Sequence, residues 1–155
     1  MIDLSMSPLL ISFAGNPVVV GAVTDNHMVS YGSYAMAELL VSGIDTTPGH
    51  GFTLAFGGKS LVFRSAAFTG FDGLLFETAF PGSTFNEFAE NIYQCFCENY
   101  DIQARYSVTL DPPGVSNRRI ILQARETGSA WSVQLSGVTV SGLTQGQNTP
   151  GSDPV

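Results

Sequence analysis

The side chains that most often carry acid–base chemistry are scarce in this sequence. Its two histidines, His27 and His50, both fall in segments that we predict to be loops. Asp25 and His27 are spaced like a fragment of a metal or acid–base site, but no third ligand is spaced to complete it. A plain turn is the simpler interpretation of this pair.

Nucleophiles and phosphate loops also lack their usual context. No G-x-S-x-G elbow occurs in the chain, and three serines fall in predicted strands: Ser60, Ser65 and Ser107. Residues 57–60, Gly-Gly-Lys-Ser, echo part of a phosphate loop, but they join two predicted strands, whereas that loop requires a helix N-terminus. Glu87 and Glu90 share a helix surface and could serve glycoside hydrolysis, although a solvated face is the simpler interpretation. We therefore expect no enzyme, with no catalytic residue, metal site or cofactor.

Three aromatic side chains could instead form a surface that binds sugars. They are Trp131, Tyr31 and Tyr34, which lie close to polar loops in the sequence. A lone Trp beside a pair of strands usually belongs to the core. A carbohydrate- or cell-surface-binding module of a fibre or surface protein is therefore an alternative function, which binding to glycans would test.

The charge balance argues against nucleic acid as a partner. The 155 residues carry 13 acidic and six basic side chains, which gives a net charge of −7. Nucleic-acid binding needs clustered Lys and Arg, and the one adjacent basic pair, Arg118–Arg119, indicates a solvated strand start. Charged residues make up only 12% of the chain, about half the usual share. We also expect no membrane partner, because no segment approaches a membrane span and none is a convincing signal peptide.

Residues 83–100 give the clearest secondary-structure signal, an amphipathic helix. Apolar side chains recur on one helical face: Phe85, Phe88, Ala89, Ile92 and Phe96. Thr84 followed by Glu87 has the spacing of a capping box. Cys95 and Cys97 lie two apart in this helix and point in different directions, so we interpret them as small apolar helix residues rather than a disulfide or zinc pair.

Most of the remaining chain is predicted to form strands. The segments are 9–15, 17–23, 31–41, a hairpin over 51–65 with its turn at Gly57-Gly58, 104–110, 118–125 and 131–137. Residues 31–41 contain helix formers, but flanking glycines favour a strand. Ile120, Leu122 and Ala124 share one strand face. The order predicts an α+β fold, an antiparallel sheet or open sandwich with one main amphipathic helix packed on a face.

We expect one α+β structural domain over residues 1–141, beginning with an N-terminal arm at 1–7. Residues 142–155 lack apolar periodicity and predict a flexible or extended C-terminal tail. The apolar insert at 66–82 has no clean period, so it either folds back over the core or contacts a partner. Its candidate subunit-interface residues are Phe68, Phe71, Leu74, Leu75, Phe76 and Phe80.

The succession of these segments resembles a module of tailed-bacteriophage virion proteins. The hairpin at 51–63 is followed by the helix at 84–100, a strand at 104–110 and a final strand motif. That motif, I-x-L-x-A-(R/K)-x-x-G-x-x-(W/F/Y)-x-(V/L), is matched by Ile120, Leu122, Ala124, Arg125, Gly128, Trp131 and Val133. Residues 12–20 also look like the start of tail-associated proteins of phages that infect Bacteroidetes-like hosts. The resemblance covers most of residues 12–141.

The resemblance implies a structural subunit of the virion, made in the host cytoplasm and associated with the tail or neck. Its partners would be other virion proteins and further copies of itself, in a cyclic homo-oligomer that acts as a ring or adaptor with heterologous interfaces. The family offers no catalytic residues. Low charge fits this expectation, because neighbouring subunits can pack without desolvating many ions.

Overall fold

The computed structural model describes residues 31–66, 73–78, 84–114 and 116–155, and the chain from Tyr31 to Val155 groups as one compact unit. This part has two four-stranded sheets and one main helix, which confirms the predicted α+β class. The predicted arm at 1–7 and the predicted strands at 9–15 and 17–23 lie outside the described residues, as do Asp25 and His27.

The described elements alternate between the two sheets along the chain. In order they are β1 (Tyr34–Val41), β2 (Gly51–Phe56), β3 (Lys59–Ala66), β4 (Leu75–Glu77), α1 (Phe85–Glu98), α2 (Tyr100–Arg105), β5 (Tyr106–Leu110), β6 (Arg118–Thr127), a 3-10 turn (Ser129–Trp131), β7 (Gln134–Ser136) and β8 (Leu143–Thr149).

The first sheet is antiparallel throughout, in the order β5-β6-β1-β8. Its central strand β1 alternates buried and less buried positions, and Ala37, Leu39 and Val41 are completely buried. Leu39 lies opposite Ile120 of β6, and Val41 lies opposite Leu143 of β8. Pairing on both sides outweighs the helix propensity of this segment, so the prediction of a strand is confirmed.

The second sheet has the order β4-β3-β2-β7, and it is built around the predicted hairpin of β2 and β3. Gly57 and Gly58 form the turn with φ values of 53° and 78°, the positive pair that a two-residue hairpin turn requires. The short strand β4 runs parallel to β3.

Helix α1 closes the core with the apolar stripe that the sequence predicts. Phe96 packs edge-on against Phe52 and Phe63, with ring centroids 6.0 and 5.0 Å apart, and Phe88 contacts Phe76 at 6.0 Å. The Thr84 hydroxyl accepts a hydrogen bond from the Glu87 amide at 3.3 Å, as the capping signal indicates. One detail differs, because Phe85 is only partly buried while Cys95 is fully buried.

Of the two alternatives for the C-terminal tail, flexible or extended, the structure has the extended one, because the tail forms a strand of the first sheet. Residues 143–149 form β8 along the free edge of β1, and Ser152 continues the pairing with Ser33. An edge strand is held chiefly by its backbone hydrogen bonds, so it does not require the apolar alternation that the sequence lacks here. Gln145 adds a side-chain hydrogen bond of 2.8 Å to the Glu38 carbonyl. The folded unit therefore extends past residue 141.

The boundaries of two predicted strands, those at 104–110 and 131–137, differ in the structure. Asn99 caps a second short helix by accepting from the Ile102 amide at 3.0 Å, so β5 begins at Tyr106 rather than at residue 104. After β6, Gly128 has φ 135°, and the chain enters the 3-10 turn that contains Trp131. The following strand β7, Gln134–Ser136, is shorter than the strand predicted over 131–137, and it pairs with β2 of the second sheet.

The interpretation of the Arg118–Arg119 pair as solvated is wrong for Arg118, which is 2% exposed. Its guanidinium donates to the Asp111 carbonyl at 3.0 and 2.7 Å, to the Asn86 carbonyl at 3.0 Å and to the Glu90 carboxylate at 3.2 Å. Because Asn86 and Glu90 belong to α1, this side chain joins the main helix to the turn before β6.

Candidate functional site

The described part of the chain contains a cavity of about 440 Å³ where four segments meet. Its walls come from the hairpin turn (Lys59), from α2, from the end of β6 (Arg125 and Glu126) and from the 3-10 turn (Trp131). This volume falls within the usual range of small-molecule sites, which is roughly 300–1,000 Å³.

Strand β6 has a bulge close to two charged residues that line this cavity. Met36 of β1 lies opposite Gln123, but Tyr34, two residues earlier, lies opposite Thr127, so β6 holds extra residues between these pairs. Such a bulge redirects side chains that a regular strand would place on opposite faces. Arg125 and Glu126, although adjacent in sequence, both line the cavity.

Asp101 organises the positive charges on one wall. Its Oδ1 accepts from Lys59 Nζ at 2.7 Å and from Arg105 Nη1 at 3.4 Å. The hydrogen bond from Lys59 is the main reason that the pKa of Asp101 lies below its ordinary value, with further help from Arg105. Lys59 and Arg105 are thereby held by a carboxylate that remains ionised.

Arg125 is the basic side chain of the cavity without a carboxylate partner. Its Nε donates to the Gln103 carbonyl at 3.1 Å, while Nη1 and Nη2 make no hydrogen bond within the described residues. Three of the six basic residues of the chain line this one cavity, against two acidic residues, Asp101 and Glu126. The cavity therefore carries a formal charge of +1 in a chain whose net charge is −7.

Two aromatic rings complete the cavity. Trp131 is partly buried, and the Arg105 guanidinium carbon lies 5.3 Å from its ring centroid. The Tyr106 hydroxyl fixes the turn by donating to the Trp131 carbonyl at 2.7 Å. A Cβ at Gly57 would lie 3.3 Å from the indole, so the hairpin turn packs tightly against it. Tyr100 is 84% exposed.

The sequence indicates Trp131 as a candidate sugar contact, but it does not indicate the other residues that line this cavity. Lys59 lies in the segment that echoes a phosphate loop, and in the structure it is the first residue of strand β3 and does not begin a helix. The other two sugar candidates, Tyr31 and Tyr34, are 79% and 52% exposed and do not line the cavity.

The second histidine forms a pair that the sequence did not indicate. His50 Nδ1 lies 2.7 Å from Asp45 Oδ2, and Asp45 also accepts from the amides of Thr47 and Ser141, each at 2.8 Å. Burial alone would raise the pKa of Asp45, but the bonds from His50, Ser141 and Thr47 outweigh it and lower the pKa to about 2. The pair therefore fastens the loop after β1 to the segment before β8.

This pair does not extend to a serine nucleophile. The Ser65 hydroxyl donates to the Thr47 carbonyl at 2.7 Å, so its proton is directed at the backbone and not at His50. A nucleophilic serine needs a hydrogen bond to its base. Within the described residues, no group of three His, Cys, Asp or Glu side chains could hold a metal ion.

The structure separates the predicted subunit-interface residues of the apolar insert. Phe76 is 2% exposed and joins the aromatic core, because the pairing of β4 with β3 turns it inward; it belongs to the core and not to an exposed interface. Leu74 and Leu75 are partly buried. The other three candidates lie outside the described residues: Phe68, Phe71 and Phe80.

In the described ranges, no helix is long and apolar enough to cross a membrane. Comparisons with protein-family models, with curated proteins and with solved structures find no match to this chain.

Proposed function

We propose that this protein is a structural subunit of a phage virion, associated with the tail or neck, which assembles into a ring or adaptor through contacts between subunits. The order of its segments supports the virion context by resemblance. The outer face of the second sheet supports the assembly role, and it is the observation on which the proposal depends.

The outer face of the second sheet is largely uncharged along its three neighbouring strands β3, β2 and β7. Strand β2 turns Phe52, Leu54 and Phe56 into the core, so its intervening residues face outward. Strand pairing aligns these with their neighbours on β3 and β7. The resulting patch, which we call the sheet-two face, consists of Thr53, Ala55, Ser60, Val62, Gln134 and Ser136, with one charged residue, Arg64, at its end.

Several features of the sheet-two face suit a protein partner. Val62 is 43% exposed on the β3 side of the patch. A shallow groove of about 140 Å³ opens beside it, lined in part by Thr139, Gly137 and Arg64, and could receive a side chain from a neighbouring copy. Because Arg64 is the one charged residue of the patch, association would require the desolvation of few charges.

A charge placed on the sheet-two face tests the assembly role. Val62→Arg should reduce the assembled fraction by at least about tenfold, since burying an unpaired charge in an interface costs more than 1.4 kcal/mol. Thr109→Arg, on the exposed outer side of β5, is the matched control and should assemble like the wild type. Sedimentation velocity measures the assembled fraction, and thermal melting checks that both variants fold.

The virion context requires a separate measurement. Antibodies against the purified protein should label the tail or neck of intact phage particles in electron micrographs. A wild-type protein that is monomeric at every concentration, together with particles that carry no label, would contradict the proposal.

A further inference from the structure

We propose that the cavity between α2, β6 and the hairpin turn binds a sugar that carries a carboxylate, such as an acidic residue of a cell-surface glycan. This binding site is distinct from the sheet-two face, so the inference goes beyond the assembly role and does not depend on it.

Arg125 is placed to bind the anionic group of a ligand. Arg125 holds its Nε against the Gln103 carbonyl and leaves both terminal nitrogens available, so its fork is oriented before a ligand arrives. Such a fork matches the two oxygens of a carboxylate better than a lysine ammonium does. Because Lys59 and Arg105 already share Asp101, Arg125 is the side chain best placed to recognise the ligand carboxylate.

The cavity also offers polar groups for the hydroxyl groups of a sugar. Glu126 and Trp131 also line the cavity, and neither the Glu126 carboxylate nor the Trp131 indole N–H has a hydrogen-bond partner within the described part of the chain. One accepts and the other donates, so together with Arg125 they suit a ligand that carries both an anion and hydroxyl groups. A simple inorganic anion would leave the Glu126 carboxylate facing a like charge.

The shape and rigidity of the cavity also suit a sugar. Tyr100 offers an exposed ring with an apolar face and a polar tip, which suits the mixed surface of a sugar. The wall behind it is fixed by the Asp101 ion pairs and by the stack of Arg105 on Trp131. A site that is ordered in advance loses less entropy when the ligand binds.

Calorimetry with the full chain and three probes tests the inference: glucuronic acid, glucose and inorganic phosphate. We expect glucuronic acid to bind at least about tenfold more tightly than glucose, because only the acid can engage the Arg125 fork. Glucuronic acid should also bind more tightly than phosphate, because phosphate has no hydroxyl-bearing ring to contact Glu126, Trp131 and Tyr100. Equal affinity for glucose and the acid, tighter binding of phosphate, or binding of none of the probes would overturn the proposal.

Two variants and a control locate the site. Arg125→Gln should weaken binding of glucuronic acid at least about tenfold and bring it near that of glucose. Tyr100→Ala should weaken both sugars together, and since this side chain is largely exposed, its melting temperature should stay that of the wild type. Arg64→Gln removes an exposed arginine that does not line the cavity and should bind as the wild type does. Unchanged binding in both cavity variants would refute the assignment.

Discussion

Replacement of Arg118 by Ala tests whether a buried guanidinium holds the helix to the first sheet. In the structure, this side chain bonds the Asp111 carbonyl, the Asn86 carbonyl and the Glu90 carboxylate. Its side chain is 3% exposed, whereas that of Glu90 is 53% exposed. The substitution would thus leave two backbone carbonyls without their charged donor, while Glu90 would remain in contact with water.

The expected loss follows from these contacts. A hydrogen bond from a charged donor contributes about 1.5–3 kcal/mol, and two carbonyls lose such a donor. The half-exposed ion pair with Glu90 adds little. We therefore expect Arg118→Ala to lower the free energy of unfolding by about 3 kcal/mol or more, which for a chain of this length is a fall in melting temperature of roughly 6–12 °C.

Urea denaturation followed by tryptophan fluorescence measures this loss, since the chain has one Trp. Arg64→Ala is the control, because its side chain is exposed and has no hydrogen bond among the described residues; its effect should stay within about 0.5 kcal/mol. Arg118→Lys should fall between the two, since an ammonium retains the charge but not the fork that spans both carbonyls. If Arg118→Ala lowers the free energy of unfolding no more than Arg64→Ala does, the hydrogen bonds of Arg118 contribute nothing to stability, which would refute this prediction.

Three further predictions test other parts of the fold. Phe88→Ala should cost about 3–5 kcal/mol in the same assay, because the ring is fully buried against Phe76; a cost near zero would mean that this helix face is not buried. Because folding lowers the pKa of Asp45 from 3.8 to about 2, its contribution of about 2 kcal/mol should be complete above pH 4 and disappear as the pH falls towards 2. A constant stability gap between wild type and Asp45→Asn from pH 6 to pH 2 would contradict this. Deletion of residues 142–155 should destabilise the protein by more than about 2 kcal/mol, since it uncovers the backbone edge of β1; a truncated chain with the wild-type melting temperature would show that β8 is dispensable.

The elements predicted correctly are those whose signal is local. The stripe of α1 and the Gly57-Gly58 hairpin are specified by residues within a few positions of one another, and both occur in the structure. Strand β8 was missed because its stability depends on β1, which lies about a hundred residues earlier in the chain. Its polar composition conveys no such pairing, since edge strands are recognised through their backbone groups.

The cavity could not be predicted for a related reason. Its lining comes from Lys59, from α2 and from the residues between Arg125 and Trp131, and only the packing of both sheets brings these segments together. The bulge in β6 near Arg125 and Glu126 depends on the register of β6 with β1. The sequence of β6 alone does not predict that register. Trp131 could be singled out as an unusual residue, but not the charges that surround it.

The positions of the basic residues connect the low charge of the chain to its proposed functions. Arg118 and Arg119 begin β6. Arg118 is buried against α1, and Arg119 forms an ion pair with Asp111 at 2.8 Å. Three more surround the cavity, which leaves Arg64 as the one remaining basic residue of the chain. Basic side chains that served only to keep the protein soluble would be scattered over its surface. In this protein most of them instead form ion pairs or hydrogen bonds with particular residues. A sheet-two face with one charge, that of Arg64, and a positively charged cavity can therefore coexist on one small subunit, the first suited to other copies and the second to an acidic ligand.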